Sequence, residues 1–250
     1  MTLDVARHRS TALLTINRPD RRNALDGATI EAIGNALTEA EADDDVRVVV
    51  LTGAGDRSFC SGMDLKAFAE GDRPTGAGLH VLASRCYPKP VIAAVNGAAV
   101  GGGFELVLAS DLVVAASHAV FSVPEVRRGV VSAGCSTRLA GRIPPAMVYE
   151  LALVGDAIDA RRAAALGLVN LVVDGSELLD RALDMADRIA ENAPMAVRVT
   201  KFMIHDELRT HDAEEWAAIR AKAEPVFASN DAREGALAFV EKRAPRWTGR

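Results

Sequence analysis

The chain has little with which to staple itself together. Its 250 residues contain three cysteines, Cys60, Cys86 and Cys135. An odd number at such wide spacing excludes both a disulfide framework and a Cys-x-x-Cys metal knuckle, and it points to a reducing, cytoplasmic setting. The five histidines show no metal-ligand spacing, so no metal is expected. Aromatic residues make up only 4% of the chain and the net charge is a mild −5. No basic stripe with interleaved aromatics exists, which sets nucleic-acid binding aside. Long apolar runs are missing too. The most apolar stretch, Leu106 to Val123, is broken by Asp111 and His118 and falls short of a bilayer span. The amino terminus carries Asp4, Arg7, His8 and Arg9 in place of the apolar segment of a secretory signal. Neither export nor a membrane partner is expected.

What is present is the ordinary mixture of a globular protein, 49% apolar and 25% charged, at a length that buries a sizeable core. Leu3 to His8 and Thr11 to Ile16 alternate as a β-hairpin around Arg9-Ser10. Leu25, Ile30, Ile33 and Leu37 then recur at helical spacing, with Asp26 as N-cap. Val46 to Thr52 is a β-branched run suited to a strand buried on both faces, and Val91 to Val95 repeats the pattern. Between them Gly71, Pro74, Gly76 and Gly78 predict a loop. Gly103 to Ser110 reads as a short buried helix, Leu112 to Ala116 as a strand and Met147 to Val154 as a helix. This alternation predicts an α/β fold. After Val173 the strands stop. Ser176 is expected to cap a helix whose inner face carries Leu179, Leu183, Ala186 and Ile189. The helical tail beyond Pro194 holds Phe202, Met203, Trp216, Val226 and Phe227, more apolar surface than a thin element buries alone. It is expected to dock on its own core or on a second subunit.

Several familiar chemistries are excluded. Gly101-Gly102-Gly103-Phe104-Glu105-Leu106 puts Leu106 where a dinucleotide-binding pattern needs its last glycine, and no Gly-Lys-Ser/Thr closes a phosphate loop. Ser136 lacks the second glycine of a nucleophile elbow. What remains is a strand, a turn and three glycines at a helix start. There the amide N–H groups face outward with the positive end of the helix dipole, an arrangement that suits an anion or a tight packing corner equally. Glu105 follows within an otherwise apolar first turn. Either it complements the dipole, or burial raises its pKa against the dipole and makes it an acid/base group. Glu125, after Phe121-Ser122-Val123-Pro124, is either a plain helix start or a second carboxylate held against the first. In Phe59-Cys60-Ser61-Gly62-Met63-Asp64-Leu65, the turn amides are a second donor set, Asp64 is expected to cap a helix, and Cys60 is expected to be a packed thiol.

Taken in order, these segments resemble the crotonase (enoyl-CoA hydratase/isomerase) family. The resemblance runs through Asn17-Arg18-Pro19, Asn23-Ala24-Leu25, Phe59 to Leu65, Lys89 to Gly97, Gly101 to Glu105, Pro124-Glu125, Gly167-Leu168-Val169-Asn170 and Phe239 to Arg243. It implies a spiral of β-β-α units over 1–193 and a helical oligomerisation region over 194–250, forming trimers or dimers of trimers. It further implies an oxyanion hole from the Met63 and Gly102 amides, with Glu105 as base and Glu125 as acid in syn hydration of a 2-enoyl-CoA. Ala24, Met63, Asp64, Leu65, Lys66 and Gly102 would line the acyl-CoA site, and no separate cofactor would be needed. A 3,2-enoyl-CoA isomerase, a carnitinyl-CoA dehydratase and a non-catalytic acyl-CoA-binding protein are the alternatives. One stretch departs from the family: Ala133-Gly134-Cys135-Ser136-Thr137 carries Cys135 and Ser136 in place of the usual glycine-rich run.

Overall fold

A computed structural model describes residues 1–72, 82, 87–208, 221, 224–246 and 248. The expected loop at Pro74, Gly76 and Gly78 lies outside the described residues, as do Cys86 and Trp216. The hairpin forms as β1 (Leu3–His8) and β2 (Thr11–Ile16), with Arg9 in the left-handed region at the turn. The first helix, α1 (Gly27–Ala42), starts where Asp26 accepts the Thr29 amide at 2.9 Å. Strands β3 (Val48–Gly53), β5 (Val91–Val95), β7 (Leu112–Ala116) and β10 (Leu171–Val173) complete a six-stranded sheet in the order β1-β2-β3-β5-β7-β10. All its pairs except β1·β2 are parallel. β3 and β5 are buried throughout, as their unbroken β-branched and alanine runs require of strands covered on both faces.

A second, four-stranded sheet was not expected as such. It comprises β4 (Ser58–Cys60), β6 (Ala98–Val100), β8 (Val120–Ser122) and β9 (Ile158–Asp159), in the order β4-β6-β8-β9. Strands of two or three residues are too short to show a period, and of these only the strand before Pro124 has a sequence signature. The spiral follows from the connections. β3 runs through a tight turn into β4 and then α2 (Leu65–Ala69); β5 into β6 and then α3 (Gly102–Ala109); β7 into β8 and then a 3₁₀ turn over Glu125–Arg128. Two buried asparagines hold the corners. Asn23 donates to the Ala54 and Ser58 carbonyls, and Asn96 to those of Gly53, Gly55 and Ser58.

Beyond the second sheet come α4 (Ala133–Ala140), α5 (Pro145–Tyr149), which continues as a π-helical turn to Val154, and α6 (Ala160–Ala165). α7 (Leu178–Ala190) packs across β3, β5 and β7. Two expectations are corrected here. Ser176 lies inside a 3₁₀ turn, Gly175–Glu177, and does not cap α7, whose N-cap position is Glu177 without a side-chain bond. Of the expected inner face, Ala186 is buried and Leu183 and Ile189 pack partly buried against the core, while Leu179 is 39% exposed and Leu178 and Ala182 take buried positions beside them. In the tail, α8 (Pro194–Leu208) is pinned by Lys201, which bonds Asp111 at 2.7 Å and the Lys89 carbonyl at 2.8 Å. α9 (Asn230–Glu241) packs on α2 and on the Glu125–Arg128 turn. Met195, Val199, Phe202 and Met203 remain exposed along α8. Among the described residues no helix is long and apolar enough to cross a membrane.

Candidate active site

β4, β6 and β8 are adjacent and parallel, so their carboxyl ends emerge side by side at one edge, the usual location of ligands in parallel sheets. Each strand delivers a residue there. Met63 follows β4, Gly102 follows β6 and Glu125 follows β8. Glu105 joins them from the first turn of α3. These are the residues singled out in the sequence, and the fold brings all four to one place.

Glycines make the approach possible. A methyl group on Gly103 would lie 2.0 Å from the Cys60 carbonyl oxygen, so only glycine lets α3 seat on the end of β4. A methyl on Gly62 would lie 3.1 Å from the Gly102 nitrogen, and one on Gly102 would lie 3.9 Å from the Met63 nitrogen. The two amides are therefore neighbours. The Gly102 N–H is one of the first-turn donors that an α-helix leaves unused. The Met63 amide has no backbone partner among the described residues, because the local pairing runs from Leu25 N–H to the Gly62 carbonyl and from Asp64 N–H to the Leu25 carbonyl. Two neighbouring amides left out of the local pairing are a donor set that could receive a developing oxyanion.

Both carboxylates lie near the start of α4. A methyl on Gly134 would fall 1.9 Å from Glu105 Oε1 and 2.3 Å from Oε2, so the Glu105 carboxylate lies flat on the Gly134 backbone. Glu125 Oε1 lies close to Gly101, where a methyl would meet it at 3.2 Å. Glu125 Oε2 and the nearby Ser132 Oγ are buried without a hydrogen-bond partner among the described residues. Burial pushes the Glu105 carboxyl above the ordinary carboxylate range, opposed by the charge of Arg138. Burial likewise raises Glu125; its own amide and the nearby Ser132 hydroxyl, close though outside hydrogen-bond geometry, oppose this, and the charge of Glu105 adds to it. For Glu105 the contest posed by the sequence, dipole against desolvation, goes to desolvation. A helix terminus contributes about 0.3–1 kcal/mol, less than the cost of taking a carboxylate out of water.

The unusual stretch proves to keep the one glycine the geometry needs, Gly134. Cys135 uses its side chain: the buried Sγ–H donates to the Gly101 carbonyl at 3.1 Å, the same oxygen that accepts the Glu105 amide at 2.9 Å. A trans peptide is planar, so fixing this carbonyl also fixes the direction of the Gly102 N–H on its far side. Burial raises the Cys135 thiol well above its usual range and lifts Cys60 to about 12, which leaves neither as a nucleophile.

The remaining sequence candidates surround this core. Asp64 caps α2 by accepting the Ala67 amide at 3.2 Å. It also pairs with Arg18 at 3.0 Å, and Arg18 reaches Asp26 at 2.8 Å and the Ala24 carbonyl. Arg18 therefore ties the Ala24 segment to the Met63 turn. In the sequence Arg18 is one member of Asn17-Arg18-Pro19 with no assignable role, since nothing local shows where a long cation will fold back. Ala24 is buried and Leu65 opens α2. Lys66 is exposed and 3.9 Å from Glu70, a surface pair that contributes little and leaves the ammonium free to move. Among the described residues no cluster of potential metal ligands occurs.

Fold and sequence together define the class. The pattern of the enoyl-CoA hydratase/isomerase family matches residues 6–250, and the chain belongs to that crotonase family. Among its relatives, the carnitinyl-CoA dehydratase of Proteus mirabilis (strain HI4320) is 41% identical over 247 residues, covering 95% of this chain and 94% of the relative. The crystal structure of carnitinyl-CoA hydratase from Mycobacterium avium superposes with a TM-score of 0.92 at 40% identity, over 100% of this chain and 99% of the other. That of enoyl-CoA hydratase from Mycobacterium tuberculosis H37Rv gives 0.78 at 43% identity, with the same coverage.

Proposed function

We propose that this chain is a hydro-lyase that interconverts a 2-enoyl-CoA and the corresponding 3-hydroxyacyl-CoA. The observation that carries this reading is the gathering of two largely buried carboxylates beside the neighbouring Met63 and Gly102 amides at the carboxyl ends of β4, β6 and β8. In the hydration direction the thioester oxygen sits against the Met63 and Gly102 N–H groups. Glu105 takes a proton from water as the hydroxyl adds to the β-carbon, and Glu125 delivers a proton to the α-carbon. Negative charge that accumulates on the thioester oxygen is met by donors already aimed at it, without reorganisation. The roles divide because the environments differ. Arg138 favours the ionised form of Glu105, and the charge of Glu105 favours the protonated form of Glu125, which is how two carboxyls come to act as base and acid at one pH.

The names of the relatives favour a particular acyl group. Carnitinyl-CoA is a 3-hydroxyacyl thioester with a quaternary ammonium at its end, and its dehydration runs the same steps in reverse. Product analysis on crotonyl-CoA, longer 2-enoyl-CoAs, 3-enoyl-CoAs and carnitinyl-CoA tests both statements. Hydro-lyase turnover on carnitinyl-CoA at least tenfold above that on crotonyl-CoA is expected. Turnover on 3-enoyl-CoAs alone, retained in Glu105→Gln, would replace the hydro-lyase reading with an isomerase. Binding without any turnover would replace it with an acyl-CoA-binding protein. The acyl-CoA is the partner, its CoA portion passing Ala24, Leu65 and Lys66. The exposed apolar residues of α8 and α9 support association of copies through the 194–250 region, as a trimer or a dimer of trimers.

A further inference from the structure

Arg138 is a cation without an anion of its own. Its Nε is buried with no hydrogen-bond partner among the described residues, and no ion pair joins its guanidinium to a carboxylate there. Arg138 is half-buried, and a buried donor left unsatisfied is costly, so its place needs a reason. Arg138 stands on α4 four residues after Gly134, which puts both on one helix face. Side chains of a helix lean toward its amino terminus, so the guanidinium is carried back toward Gly134 and toward the carboxylate that lies on it. α3 and α4 pack side by side in the same direction, since Gly134 meets the first turn of α3 and Arg142 reaches the Ser110 carbonyl at its end, at 3.5 Å. Arg138 falls between these points.

We propose that Arg138 is the positioning residue for Glu105, an unpaired guanidinium on the neighbouring helix that keeps this carboxylate ionised and seated over Gly134. The proposal rests on the reading of Glu105 as the base. The other titratable or charged groups facing the pair are Glu125 from the 3₁₀ turn, the Cys135 thiol from α4 itself, and Arg142 with Asp111 beyond the helix ends. None supplies a second cation to Glu105, because Arg142 is turned to Ser110.

The test is the pH profile of kcat/KM for hydration in wild type, Arg138→Lys, Arg138→Gln and Glu105→Gln. Loss of the cation raises the Glu105 pKa. Arg138→Gln should therefore move the acidic limb to higher pH and lower the rate at neutral pH about tenfold or more, with recovery as the pH rises further. Arg138→Lys should leave the limb near its wild-type position. A limb unmoved in Arg138→Gln, or moved equally in Arg138→Lys, overturns the proposal. If Arg138→Gln does not fold, Arg138→Met takes its place. Independently of either, the infrared difference between wild type and Glu105→Gln at neutral pH should show an ionised carboxylate, and a protonated carboxyl band assigned to Glu105 would overturn the proposal. Undiminished hydration by Glu105→Gln would remove the reading of the base itself. An inactive Glu105→Gln beside an unmoved Arg138→Gln limb would remove only the role of Arg138.

Discussion

Glu105 and Glu125 are held where burial works against ionisation, so each lowers the stability of the fold at the pH where it is charged. With a folded-state pKa above the unfolded one, the stability associated with each group is fully present in acid, below the ordinary carboxylate range. It is lost as pH rises through the raised value. Glu105→Gln and Glu125→Gln should therefore raise Tm by a few degrees at neutral pH, an advantage that fades in acid. Thermal melts across pH check this, and a lower Tm for both variants at neutral pH would contradict it. Gly134→Ala separates site geometry from fold. Alanine suits a helix better than glycine, but its methyl would fall 1.9 Å from Glu105 Oε1 and turn the carboxylate aside. A loss of about 100-fold in kcat with Tm close to wild type is expected. Glu105 was legible because a charged residue in an apolar run announces a cost, whereas Glu125 stood out only by following a strand and a proline and took its role from the family resemblance. Arg138 and Cys135 were not legible, because their meaning lies in what they face across a helix pair.

At the scale of elements, the site depends on how the α2 and α3 starts are held together, and Arg18 is the brace on the α2 side. Its side chain is 16% exposed, and its partners Asp26 and Asp64 are 21% and 12% exposed. Truncation strands both carboxylates and frees the Ala24 carbonyl. Arg18→Ala should cost about 2–3 kcal/mol in denaturant melts and raise KM for the acyl-CoA more than it lowers kcat. An unchanged KM would contradict this. The longer elements were legible from periodicity and capping, as with α1 behind Asp26 and the buried β3 and β5. The second sheet was not: two or three residues carry no period, and its strands exist because the buried asparagines and glycine corners fold the chain back onto them.

At the scale of the molecule, the spiral fold is that of the crotonase family, and its relatives show that one scaffold carries more than one acyl-CoA reaction. The chemistry therefore has to be argued from the site. The described part of the tail packs on the same chain through α8 and α9 yet leaves Met195, Val199, Phe202 and Met203 exposed. Light scattering should give a mass three or six times that of the chain, and a monomer would remove the association proposal without touching the chemistry. The most direct measurement of the central claim is water addition by wild type, Glu105→Gln, Glu125→Gln and the double variant, each folded and each shown to bind the same acyl-CoA. Losses of about 100-fold or more in kcat for each single variant, with the double variant little worse than either, are expected of two groups acting in one step. Full turnover in either single variant would contradict a paired acid and base.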